Sequence, residues 1–99
     1  MILLNNTYSI EKTIEKEWVA WMKEKFIPII NDTGLCNCLL LKVEQIYDEG
    51  GVSFALQYSF NSKTQMEYFK DKFESKLNLL HNAKFRNKFE LFVTVLETV

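Results

Sequence analysis

One histidine, one proline, three glycines and two cysteines in 99 residues already exclude several kinds of chemistry. With His81 as the lone imidazole, no Ser/His/Asp or Cys/His set assembles itself, and a structural zinc site asks for four ligands at set spacing. No glycine-rich phosphate loop is present. Cys36 and Cys38 lie one residue apart, so a disulfide between them would close a small, strained ring. They read as reduced thiols of a reducing compartment, serving as small buried hydrophobes rather than metal ligands. Strong charge is missing too: the formal net charge is -1 and the isoelectric point about 5.8, so no overall positive field draws nucleic acid or an anionic membrane. No apolar run approaches the ~18 residues of a membrane span, and Met1-Ile2-Leu3-Leu4 is far short of a secretory core. The expectation is a soluble, cytoplasmic protein without cofactor or metal, and, in the absence of repeats or linkers, one domain over residues 1–99.

What is present is periodicity. Residues 2–10 alternate, with Ile2, Leu4, Tyr8 and Ile10 on one side and Leu3, Asn5, Thr7 and Ser9 on the other, which describes a half-buried strand. Over 11–32 the period becomes helical: Ile14, Trp18, Trp21, Met22, Phe26 and Ile29 share one arc at 100° per residue. Lys25 falls inside that arc, where it must snorkel, find an acid or meet a ligand, with snorkelling the default. Pro28 should kink or tighten the last turns, and Gly34 suits a left-handed stop. Residues 35–47 and 52–60 read as strands joined at Asp48-Glu49-Gly50-Gly51, a loop tolerant of positive φ. Ser62-Lys63-Thr64-Gln65 has the form of a capping box, after which Met66, Phe69, Phe73, Leu77 and Leu80 make a narrow stripe to about residue 84. A last strand over 88–98 is apolar on both parities, Phe89, Leu91, Val93 and Val95 against Phe92 and Leu96, so both its faces need cover.

The order is βαββαβ, an α+β ferredoxin-like fold. Right-handed crossovers then favour a four-stranded antiparallel sheet in the order 4-1-3-2 with both helices on one face. In that arrangement the other face of the two central strands consists of Leu3, Asn5, Thr7, Ser9, Ser53, Ala55, Gln57 and Ser59, without a charge. Exposed sheet faces normally carry Lys and Glu. Lys42, Glu44 and Glu90 are expected to rim this patch, and an uncharged centre inside a charged rim is how protein contacts are built. A homodimer through this face is therefore expected, with Asn5, Thr7 and Gln57 lining any cavity between the sheets.

Asn5 in the first strand, Trp18-x-x-Trp21-Met22-Lys23 ending in Ile27-Pro28, Thr33-Gly34-Leu35, Gln57-Tyr58, and Lys88-Phe89 with Thr94-x-Leu96-Glu97 resemble a small bacterial family described as a domain of unknown function. The resemblance covers essentially the whole chain. That family is similar in architecture to the dimeric α+β barrel superfamily, which includes the antibiotic-biosynthesis monooxygenases, cofactor-free oxygenases of polycyclic aromatics. The likeness implies the face-to-face dimer but no reaction, and it supplies no catalytic residues. Where a histidine would be expected before Ile-Pro, this chain has Phe26.

The candidate ligand-binding residues are Asn5, Thr7, Gln57 and Trp21. The three uncharged side chains could orient a carbonyl or quinone oxygen, or else bond to one another across a dimer. Trp21, near the edge of its arc, is the better pocket wall of the two tryptophans, both of which otherwise read as core. RNA-recognition modules share the βαββαβ order, but their exposed aromatics on strands one and three are missing here, and the net +4 of residues 62–88 lies mainly on the second helix. Neither nucleic acid nor membrane is an expected partner. Whether the chain is an enzyme, with oxygenase- or isomerase-like activity on an aromatic or carbonyl-bearing molecule, or a non-enzymatic self-association or protein-interaction module, is left open by its residues.

Overall fold

Alternation in the first strand settles which side of the sheet is covered. In the computed structural model, which describes residues 1–44 and 51–99, β1 (Ile2–Glu11) buries Ile2, Leu4, Asn6, Tyr8 and Ile10. β3 (Gly51–Phe60) buries Val52, Phe54, Leu56, Tyr58 and Phe60 on the same side. β2 (Asn37–Lys42) and β4 (Phe89–Glu97) complete a sheet of order β2-β3-β1-β4, every neighbouring pair antiparallel, which is the expected 4-1-3-2 order read from its other edge. The expected loop at Asp48, Glu49 and Gly50, with Tyr47 before it, lies outside the described residues.

Both helices contain a π-helical turn. The first runs through Glu15–Trp21, a π turn at Met22–Phe26 and Ile27–Asp32. The second runs through Lys63–Phe69, a π turn at Lys70–Glu74 and Ser75–Phe85. The spacing of the apolar residues explains why. Trp18, Met22, Phe26 and Ile30 are all fully buried and four apart. In an unbroken α-helix each step of four overshoots a turn by about 40°, so the last of them would lie about 120° from the first. One extra residue absorbed in a π turn removes about 100° of that drift and keeps the row on the sheet. Phe69, Phe73, Leu77, His81 and Phe85 repeat the pattern in the second helix, with the same remedy. Pro28 adds a local cause in the first: its ring crowds the carbonyl one turn back, and the widened turn relieves that clash.

The extra residue corrects two expectations in the same sense. Ile29 is 44% exposed while Ile30 is buried, and Leu80 is 39% exposed while His81 is buried at 2%. Beyond each π turn the inward-facing residue is one later than an ideal helical wheel selects. Lys25, inside the expected arc, is rotated out and exposed.

The helix ends behave as local chemistry requires. Gly34 takes φ 69°, its N–H donates to the Asn31 carbonyl at 3.1 Å, and Thr33 Oγ1 donates to the Ile30 carbonyl at 2.7 Å. At the second helix the Gln65 N–H donates to Ser62 Oγ at 3.2 Å, and Gln65 Oε1 accepts from the Asn61 N–H at 3.0 Å, one residue earlier than a standard capping box. The helices cover β4 only in part: Phe89 and Leu91 are partly buried, whereas Val93 and Val95 on the same parity are exposed.

Candidate functional site

The residues expected on the open face are there. Asn5 stands opposite Gln57 in the β1–β3 register and Thr7 opposite Ala55. Asn5 Nδ2 donates to Thr7 Oγ1 at 3.1 Å, while Asn5 Oδ1 is covered and has no partner. The trio is thus brought together mid-sheet. Trp21 is not with it: it lies on the helix side, half-buried, packed against Phe26 with ring centroids 5.4 Å apart, Phe85 at 5.3 Å and His81 at 5.9 Å. The sheet separates the two.

The rim differs from expectation. Lys42 stands opposite Phe54, so it faces the helices, where Nζ bonds Glu15 Oε2 at 3.0 Å and lies 5.9 Å from the Phe54 ring centroid. Glu44 lies just past the end of the strand. The outward row of β2 is instead Asn37, Leu39 and Leu41, opposite Ser59, Gln57 and Ala55. Val43 continues it, its N–H donating to the Ser53 carbonyl at 2.9 Å. Leu39-Leu40-Leu41 is apolar on both parities, so alternation could not set the phase of this strand. On β4 the outward row is Glu90, Phe92, Thr94 and Leu96, opposite Ser9, Thr7, Asn5 and Leu3. The face is therefore a polar, uncharged centre between two apolar stripes, with charge only toward one end, where Glu90 stands with Glu11 and its partner Lys88. Leu39 at 56% and Phe92 at 60% are its most exposed large apolar side chains.

On the covered side the residues assemble around His81, which sequence reasoning left as a lone helical histidine. Trp18 Nε1 donates to His81 Nε2 at 2.9 Å. The imidazole lies 4.7 Å from the Tyr8 ring, tilted 35°, and meets the Phe89 ring edge-on at 4.3 Å. Phe26, Phe85 and Trp21 close round it. Nε2 accepts, so the neutral ring carries its proton on Nδ1, which is buried without a partner. Burial pushes the His81 pKa down to about 4, keeping the ring neutral at pH 7. Burial also raises Tyr8 to about 12, against a side-chain hydrogen bond with Asn6 that lowers it. The signal that could have found His81 is the run of five residues spaced by four, 69 to 85.

Among the hollows of the surface, four lie beside the residues considered so far. One, of about 250 Å³, is walled by Tyr8, Asn78, His81, Asn82, Phe89 and Leu91. A neighbour of about 600 Å³ shares Asn82 and Phe89 with it and reaches Arg86. A third opens on the outer face beside Thr7, Ser53 and Phe92, and the fourth lies over Cys36 and Cys38. None of these four is lined by Asn5, Gln57 or Trp21. Both thiols are free, and burial raises them to about 11 at Cys36 and about 12 at Cys38. Among the described residues no three His, Cys, Asp or Glu side chains converge as metal ligands, and no helix is long and apolar enough to cross a membrane.

Compared with solved structures, the chain has the fold of the antibiotic-biosynthesis-monooxygenase-like proteins. A crystal structure of an antibiotic biosynthesis monooxygenase superposes with a TM-score of 0.67 over 100% of this chain and 99% of that one, at 14% identity. A second, from Deinococcus radiodurans and assigned to the same group, superposes with a TM-score of 0.59 over 100% and 93%, at 19% identity. Identities this low show the fold alone. No curated protein matches the sequence. The model of the family described as Domain of unknown function (DUF4286) matches residues 1–99, and to that family the chain belongs.

Proposed function

We propose that this protein is a homodimer formed by stacking of the open sheet faces, and that it binds a small aromatic or carbonyl-bearing molecule in the cytoplasm. The observation that supports the dimer is the face itself, uncharged from Leu3 to Ser9 and from Ser53 to Ser59 on the central strands and flanked by Leu39, Leu41 and Val43 on one side and Phe92 and Leu96 on the other. Four strands spaced ~4.8 Å apart and six to ten residues long make a face of roughly 20 by 20–30 Å. Allowing for side-chain relief, that approaches the ~800 Å² per partner of a stable interface. Asn5 and Gln57 lie mid-strand, where a twofold axis would bring each against its twin, giving Asn5 Oδ1 the donor it lacks within one chain.

Cofactor-free oxygenase- or isomerase-like turnover is the activity that the likeness of fold brings forward. A non-enzymatic self-association or protein-interaction module is the second reading, favoured by the four hollows described above, none of which is lined by Asn5, Gln57 or Trp21. In the first, Asn5, Thr7 and Gln57 hold a ligand oxygen between the sheets. In the second they bond only to one another.

Sedimentation equilibrium at 1–100 µM tests the dimer, with Leu39→Lys and Phe92→Lys each expected to leave a folded monomer. A wild-type monomer throughout that range would overturn it. A thermal-shift screen of quinones, flavonoids and keto acids, with dioxygen consumption followed for each hit, tests the ligand and its turnover. Stabilisation abolished by Asn5→Ala would place the ligand between the sheets.

A further inference from the structure

We propose that the hollow between the second helix and β4, walled by His81, Tyr8 and Phe89, is a binding site for a planar aromatic carbonyl compound whose oxygen accepts the Nδ1–H of His81. This goes beyond the reading above, since the site lies on the helix side of the sheet and not between the sheets, and it does not depend on the dimer.

Three observations converge on that site. The first is the fixed tautomer. The bond from Trp18 Nε1 occupies Nε2, so the free hydrogen-bonding capacity of the ring is a donor and not an acceptor. It would bind a carbonyl, phenolate or carboxylate oxygen and not an ammonium. The second is the lack of any partner for Nδ1 in a side chain that is 2% exposed. Buried donors in folded chains almost always find an acceptor, and His81 is spared one although Asn78 and Asn82 stand beside it. The third is the wall. Tyr8 and Phe89, whose own ring centroids are 6.0 Å apart, present adjoining aromatic surfaces next to the imidazole, and Leu91 extends the wall along β4, a lining against which a flat ring can pack.

The dimensions set the size of the ligand. About 250 Å³ holds one substituted ring, and the adjoining hollow past Asn82 and Phe89 offers space for a short tail. At its far end Arg86 is exposed and paired with no carboxylate among the described residues. A tail ending in a carboxylate would complete the match. Nδ1 is closed to solvent in the unliganded chain, so a ligand oxygen reaches it only when the exposed Asn78 and Asn82 at the mouth swing aside. The burial that keeps His81 neutral also keeps it a one-proton donor at pH 7.

The test is a titration of the full-length protein with phenylpyruvate and 4-hydroxyacetophenone, followed by the ring ¹⁵N resonances of His81. Hydrocinnamate, which keeps the ring and carboxylate but lacks the keto oxygen, is the control. Phenylpyruvate is expected to shift Nδ1 while leaving Nε2 bonded to Trp18, with hydrocinnamate binding at least tenfold more weakly. Asn82→Trp, an exposed position that plugs the mouth without touching the Trp18 bond, should abolish the shift in a folded protein. Arg86→Gln should weaken phenylpyruvate several-fold and leave 4-hydroxyacetophenone unchanged. An Nδ1 resonance unmoved by both carbonyl compounds at 5 mM overturns the proposal, as does binding that Asn82→Trp leaves intact. Sedimentation of the same samples separates the site from the dimer: a monomer that still shows the shift sinks the dimer alone, and a dimer without it sinks the site alone.

Discussion

Acid should destabilise this protein through one side chain before its carboxylates titrate. An imidazole in the unfolded chain has a pKa near 6.5, and burial among Tyr8, Trp18 and Phe89 pushes that of His81 down to about 4. Between those values the unfolded chain binds the proton more readily, so falling pH favours unfolding. The contribution is fully present above pH 6.5 and fully lost below about 4. At about 1.4 kcal/mol per pKa unit the whole window is worth roughly 3 kcal/mol. Between pH 7.5 and 5.5 the same linkage gives a loss of about 1.3 kcal/mol, in a range where ordinary carboxylates stay ionised. The assay is urea unfolding of the wild type and of His81→Gln, whose amide oxygen can still accept from Trp18 but does not titrate. The wild type should lose about 1.3 kcal/mol more than the variant over that interval. Parallel curves, or an NMR titration placing His81 near 6.5, would refute a neutral, buried imidazole.

Other perturbations should follow from single contacts. Trp18→Phe removes the donor to His81 Nε2 and should cost about 1–3 kcal/mol in urea unfolding, with the His81 ring ¹⁵N shifts reporting a change of tautomer population. Gly34→Ala meets no atom within 4 Å of the new Cβ, so its cost should be only that of the left-handed φ of 69°, about 1–2 kcal/mol, with the melting curve otherwise unchanged in shape. Cys36 and Cys38, raised to about 11 and 12, should hold roughly a hundredfold and a thousandfold less thiolate at pH 7.5 than a free thiol of pKa 9, and alkylation by iodoacetamide should be correspondingly slow until the chain is unfolded.

Much of this was legible in the residues because local and global preferences agree. Alternation from Ile2 to Ile10 placed Asn5 and Thr7 on the open face, and Gly34 and Ser62 marked helix ends by their own stereochemistry. Two things were not legible, for different reasons. β2 carries leucine on both parities, so its register comes only from pairing with β3, and the apolar stripe of Leu39 and Leu41 was hidden behind an expected charged rim. His81 was missed because an ideal wheel selects Leu80. Only the spacing by four from Phe69 to Phe85 carries the information that the helix must take up an extra residue.

The extra residue in each helix also changes what the gene can tolerate. Removing one amino acid from an ordinary helix swings everything after it by about 100° and scrambles its contacts. Within 70–74, by contrast, losing an outward-pointing residue such as Asp71 would let the coil tighten to regular geometry while Leu77, His81 and Phe85 stay aimed at the sheet. Shortened versions of this helix should therefore fold around an undisturbed imidazole, and length variation there is compatible with an unchanged interior.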